Sequence, residues 1–153
     1  MLVKQLLSMK SDSAKPWIDA KTIVTIAPEA TLGDAARLLA EQRIGAVVVS
    51  ANGRTPDGIL SERDIVRQLG KHGTGILSQP ISEVMTRAVQ TCVPGEDALT
   101  ILERMTQGRF RHMPVVDEQG EMLGVISIGD AVSGRLKELA AEKEALTGMI
   151  MGS

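Results

Sequence analysis

The sequence predicts an α/β fold in which two pseudo-symmetric repeats, each β-α-β-β-α, pack sheet to sheet as one compact module. The chain repeats itself at a fixed offset without a gap: Pro28, Arg43, Val49, Gly58, Ser61, Asp64 and Val66 recur as Pro94, Arg109, Val115, Gly124, Ser127, Asp130 and Val132. Within each copy, short continuous apolar runs alternate with apolar residues at helical spacing. At 153 residues the chain suits one domain, so neither copy is long enough to be secure alone and the two are expected to share a core.

Residues 1–20 form a leader in which Leu2 to Met9 reads as a short helix. The first copy spans 21–75. Ile23 to Ile26 is its opening strand, Thr31 the N-cap of a helix through Leu32, Ala35, Ala36 and Leu39, and Ala46 to Val49 a strand buried on both faces. Asn52-Gly53 and Asp57-Gly58 mark the turn into a strand at Ile59-Leu60, after which Ser61 caps a helix through Ile65, Val66 and Leu69. Gly70 to Gly75 breaks that pattern and reads as a flexible connection carrying His72.

The second copy spans 81–146: a strand at Val89 to Val93, a cap at Asp97, a helix face of Ala98, Ile101, Leu102 and Met105, and strands at Met113 to Val116 and Met122 to Ser127. The loops between paired strands are of equal length, which predicts the same turn twice. The last helix outruns its counterpart, with Leu136, Leu139, Ala140 and Leu146 free to dock on the core or on a partner.

Composition excludes several classes. With 17 basic against 19 acidic residues and no long run of one sign, a nucleic-acid footprint or polybasic membrane anchor is disfavoured. Trp17 and Phe110 are the sole Trp, Tyr or Phe residues, too few for base stacking. Cys92 is the only cysteine, and with His72 and His112 it makes no metal-ligand spacing; a reducing, cytoplasmic setting fits, and no signal or membrane-spanning stretch is legible. No nucleophile, base and oxyanion set converges, so no enzymatic activity and no metal are expected. Cys92 reads as a small buried group, and Arg104 and Arg109 as surface charges, the latter with an option on a phosphate or dimer contact.

The chemistry-bearing phrase is Gly-apolar-apolar-Ser-x-x-Asp, present as Gly58 to Asp64 and Gly124 to Asp130. A strand that ends at Ser and turns into a helix exposes N–H groups at the positive end of the helix dipole, which suits an anion. Ser-x-x-Asp is equally a capping box that needs no ligand. Two facts favour a ligand: the phrase recurs in register, and basic residues accompany it, Arg63 within the first and Arg111-His112 opening the second copy's strand.

With Val24-Thr25-Ile26-x-Pro28, Ile44 to Val49, Arg109 to Asp117 and both Ser-x-x-Asp phrases, nearly the whole chain resembles a tandem pair of cystathionine-beta-synthase (CBS) domains, a Bateman module of the stand-alone bacterial type. The resemblance implies a non-catalytic adenosyl-ligand sensor and, by default, a homodimer acting on an unidentified regulated partner. AMP is the first expected ligand, with ATP, NAD(H) or S-adenosylmethionine as further options. Carried over, one cleft combines Ser127 and Asp130 with Lys21, Thr22, Val24, Gly45 and Ala46. The other combines Ser61, Arg63 and Asp64 with Thr86, Arg87, Arg111, His112, Met113 and Pro114, and is the better phosphate site. The alternative is a ligand-independent dimerisation or scaffold module.

Overall fold

Side chains that can satisfy unpaired helix N–H groups stand where each helix of the two copies starts. The structure, a computed structural model, describes residues 1–10 and 23–151. Its elements are α1 (Val3–Lys10), β1 (Thr25–Ile26), α2 (Leu32–Gln42), β2 (Ala46–Val49), β3 (Gly58–Ser61), α3 (Glu62–His72), α4 (Ala98–Gly108), β4 (His112–Val116), β5 (Met122–Ser127) and α5 (Ile128–Met151). Thr31 starts α2 with a capping box: its Oγ1 accepts the Asp34 N–H at 3.1 Å, and the Asp34 carboxylate accepts the Thr31 N–H at 3.0 Å. Asp97 starts α4 by accepting the Leu99 N–H at 3.0 Å. Both helices stop on an arginine in the left-handed region, Arg43 (φ 54°) and Arg109 (φ 57°), whose N–H groups close on the carbonyls of Leu39 and Met105. That conformation costs a non-glycine residue about 1–2 kcal/mol, and the chain accepts it at the same repeat position twice.

In the first copy β1 runs parallel to β2 and β2 antiparallel to β3; in the second β4 and β5 form an antiparallel pair. The register repeats: Ala46 faces Ser61 as His112 faces Ser127. The opening strands are shorter than the apolar runs predict. The first is confined to Thr25–Ile26, and Val89 to Val93 makes only a parallel bridge from Cys92 to Val115. Instead of lengthening that bridge, the chain just before it pairs Thr86 with Ile59 of the first copy's β3, both N–H groups donating across at 3.0 Å.

The turns differ despite their equal length. In the first copy Asn52 Oδ1 accepts the N–H groups of Arg54 and Thr55, and Gly53 takes φ 74°. In the second Asp117 Oδ1 accepts those of Gln119 and Glu121, Gly120 takes φ 81°, and a bulge between Val115 and Val116 absorbs the shift. Nor does Gly70 end its helix: α3 continues to His72, which lies in its last turn, and stops at Gly73, beyond which Thr74–Ser78 is a 3-10 turn.

Each copy's core is completed by a segment from outside its repeat. Leu32, Ala35, Leu39, Val47, Val49, Leu60 and Ile65 pack around Ile81 and Met85, which stand at the start of the second copy. Ala98, Ile101, Met105, Met113, Val115 and Ile126 pack around Val3 and Leu6 of α1. The repeated glycine explains the fit. A Cβ at Gly58 would lie 2.5 Å from Met85 Sδ, and one at Gly124 would lie 2.7 Å from Leu7 Cδ2, so glycine admits the visiting side chain at both places. The sheets meet through Val48, Val116 and Met122. Val66 and Val132, by contrast, stand exposed.

Cys92 is buried in the second core, where loss of solvent and then the Glu96 charge push its thiol up to about 12 from 9.0. Arg104, expected at the surface, is half-buried: it donates to the Thr91 carbonyl at 2.8 Å and pairs with Glu96 at 3.3 Å, tying the segment around Cys92 to α4.

Leu6→Ala is expected to lower unfolding free energy by about 2–5 kcal/mol in urea denaturation; a loss below about 1 kcal/mol would show that α1 is not part of the core. Native protein at pH 8 is expected to react with a thiol reagent at least about a hundredfold more slowly than unfolded protein, since only the thiolate attacks. The thiol is neutral in both states below pH 9, so this group costs no stability there, and its contribution declines as pH rises from 9 towards 12. Equal labelling rates would contradict the burial.

Candidate functional site

Both strand-to-helix junctions fold into the same device. Ser61 donates its N–H (2.8 Å) and its hydroxyl (3.0 Å) to Asp64 Oδ2, and its Oγ accepts the Asp64 N–H at 3.3 Å. In the second copy the Ser127 N–H reaches Asp130 Oδ2 at 2.8 Å, and the Asp130 N–H reaches Ser127 Oγ at 3.1 Å. The first helical N–H is also occupied in each: Glu62 donates to the Gly45 carbonyl at 2.9 Å, and Ile128 to the Arg111 carbonyl at 2.8 Å. The capping reading of Ser-x-x-Asp is therefore realised in full. What remains for an anion in each first turn is the second N–H, of Arg63 or Gly129, which a helix leaves without an intrahelical partner. Asp64 keeps acceptor capacity, since a carboxylate has about four lone-pair sites and, among the described residues, Oδ1 is paired with Arg67 at 3.5 Å.

The two junctions open on one cleft of about 690 Å³. It brings together Gly45, Ala46, Ser61, Arg63, Asp64, Thr86, Arg111, His112 and Ser127, drawn from both of the clefts expected from sequence. The mismatched repeat positions meet across it: a Cβ on Gly45 would come within 3.4 Å of His112 Cε1, so the missing side chain in one copy makes room for the imidazole of the other. Arg63, Arg67, Arg109, Arg111 and His112 face Glu62 and Asp64, an excess of basic groups.

Other expected residues lie elsewhere. The Arg87 guanidinium turns away to the Ser82 carbonyl at 2.7 Å. Met113 and Pro114 are buried within β4, Val24 packs against the first core, and Asp130 caps its helix without lining the cleft. Lys21 and Thr22 lie outside the described residues.

Sequence reasoning passed over Arg67, Phe110, Gln90 and the wall from Ile128 to Gly129. Arg67 stands one turn beyond Arg63 and so shares its face, a signal that was present. Phe110 adjoins Arg111. The wall at Val89 and Gln90 was hidden by the strand expected from Val89 to Val93. Among the described residues no group of His, Cys, Asp or Glu has the makings of a metal site, and no helix is long and apolar enough to cross a membrane.

The family model described as CBS domain matches residues 18–71 and 81–136, so the chain belongs to the CBS-domain family and carries two copies of the domain. A mitochondrial CBS domain-containing protein of Arabidopsis thaliana is 32% identical over 126 residues, which are 80% of this chain and 61% of that protein. The chain thus spans about three fifths of that relative's length. The crystal structure of a CBS-domain containing protein from Agrobacterium tumefaciens superposes with a TM-score of 0.78 at 38% identity, covering 88% of this chain and 99% of that one. A CBS domain protein of Pyrobaculum aerophilum, solved complexed with AMP, superposes with a TM-score of 0.69 at 26% identity, covering 85% and 89%.

Because each junction serine is an N-cap, Ser61→Ala and Ser127→Ala are each expected to cost about 1 kcal/mol in chemical denaturation. A loss at only one of the two would contradict their structural equivalence.

Proposed function

Starting from membership of the CBS-domain family, we propose that this chain is a non-catalytic regulatory module that binds an adenine nucleotide in the cleft between its copies. AMP is the first candidate, ahead of ATP, NAD(H) and S-adenosylmethionine. The observation that carries the reading is the convergence of Ser61, Arg63 and Asp64 from one copy with Arg111 and His112 from the other on one cleft. Its volume is within the range of small-molecule sites. The phosphate would sit at the α3 N-terminus on the Arg63 N–H, with the guanidinium groups of Arg63 and Arg111 supplying charge-assisted donors. Asp64 Oδ1 would accept from the ribose diol, and Ala46, Ile59 and Ile128 would offer apolar contact to the base. The AMP bound in the Pyrobaculum relative supports this choice.

A ligand that fits one arrangement of the two copies better than another shifts their equilibrium by its differential affinity, and a partner reads the changed surface. No covalent step is assigned, since Asp64 and the Ser61 hydroxyl are committed to each other in the capping box and Arg67 pairs with Asp64. A cytoplasmic setting is the proposed compartment, supported by the single unpaired Cys92. The scaffold alternative has one observation in its favour: in both capping boxes the serine and aspartate satisfy each other.

Calorimetry decides. AMP is expected to bind, and Arg63→Ala and Arg111→Ala are each expected to weaken it about 10–100-fold, the worth of a hydrogen bond to a charged group. Arg87→Ala is expected to leave affinity unchanged, because its guanidinium is committed to Ser82. Asp64→Ala is expected to cost more than Asp130→Ala. Absence of heat with AMP, ATP, NADH and S-adenosylmethionine would establish the scaffold reading instead.

A further inference from the structure

The chain's only asparagine, Asn52, is followed by a glycine and stands exposed in the turn between β2 and β3. An Asn-Gly step is prone to spontaneous loss of the side-chain amide, because glycine carries no Cβ to hinder its own nitrogen from attacking the carboxamide before it. The reaction balances with water as co-reactant. The Gly53 nitrogen bonds to Asn52 Cγ and gives up its proton, the Cγ–Nδ2 bond breaks, and ammonia leaves. Water then opens one of the two carbonyl–nitrogen bonds of the succinimide ring, giving aspartate or an isoaspartate whose main chain is one methylene longer.

The turn is built against this reaction. The Gly53 N–H is committed to Ser50 Oγ at 2.9 Å, and Ser50, only 4% exposed, is itself fixed by donating to the Thr55 carbonyl at 2.6 Å. Asn52 Oδ1 accepts the N–H groups of Arg54 at 2.8 Å and Thr55 at 2.9 Å, which turns the carboxamide towards the residues beyond Gly53. Attack therefore waits on a local opening that breaks these bonds. The same bonds support a contact between the copies. The Arg54 carbonyl accepts the Met122 N–H at 2.8 Å where β5 begins, and the Arg54 guanidinium lies 3.9 Å from the Glu121 carboxylate. An added methylene at position 52 shifts Arg54 out of register with Met122. The second copy's turn, from Asp117 to Gly120, holds no asparagine.

We propose that Asn52-Gly53 is a latent modification site, shut by Ser50 while the turn is docked on β5, and that its conversion to isoaspartate releases the Arg54 carbonyl from Met122. The full chain is incubated in mildly alkaline buffer, folded or in guanidinium chloride, and conversion is followed by peptide mapping and by enzymatic methylation of isoaspartate. Folded protein is expected to convert at least about tenfold more slowly than unfolded protein, and Ser50→Ala to remove most of that difference. Should Ser50→Ala fail to fold, hydrogen exchange of the native protein decides, with the Gly53 amide expected to be protected although it stands at an exposed turn. In converted protein, separated by its added charge, the Met122 amide is expected to lose protection about tenfold or more while the rest of β5 keeps it. Equal conversion rates for folded and unfolded protein, a folded Ser50→Ala variant as slow as the native chain, an unprotected Gly53 amide, or unchanged protection at Met122 after conversion would each overturn the proposal.

Discussion

The structure depends on one junction made twice: a strand ends at a serine, and the next helix begins with a serine–aspartate capping box whose first N–H is taken by the carbonyl just before the neighbouring strand. Ser61 with Asp64 and Gly45, and Ser127 with Asp130 and Arg111, are the two instances. The junction sets the direction in which α3 and α5 leave their sheets, and it turns both helix N-termini towards the same cleft. It also rations what a ligand receives. Of the polar groups that begin each helix, structure consumes nearly all and leaves one N–H, so selectivity passes to the side chains around it.

Those side chains are where the copies part. Arg63 in the first junction corresponds to Gly129 in the second, and Gly45-Ala46 to Arg111-His112. The two differences are complementary in space, since the bare Gly45 is what lets His112 approach. A symmetrical backbone thus carries an asymmetrical charge, and the proposed phosphate position follows from the asymmetry rather than from the repeat.

The repeat, the caps at Thr31, Asp97, Ser61 and Ser127, and the paired strands were legible because each rests on local chemistry: a side chain bonding to its own backbone, or an apolar run of strand length. What escaped depends on distant partners. Nothing local in Val3, Leu6, Ile81 or Met85 says that α1 completes the second core while the start of the second copy completes the first. Val89 to Val93 has strand composition, yet Thr86 bonds to Ile59 and holds the approach to that run beside the first copy, so only Cys92 pairs. Equal loop lengths hid a one-residue shift in the turn glycine, from Gly53 to Gly120, which the bulge at Val115/Val116 absorbs. Of the site, the junctions and the Arg111-His112 pair were read from spacing, whereas the meeting of Ser61 and Ser127 on one cleft is a property of how the halves pack.

The central claim is that an anion enters at the single N–H that each junction leaves open, and that the Arg63 junction is the stronger of the two. Amide chemical shifts followed by NMR during titration with AMP test it most directly. The account predicts the largest displacement at the Arg63 N–H, a smaller one at Gly129, and little at Glu62 and Ile128, whose N–H groups are already bonded to carbonyls. Displacements confined to residues away from both junctions, or larger at Gly129 than at Arg63, would contradict it.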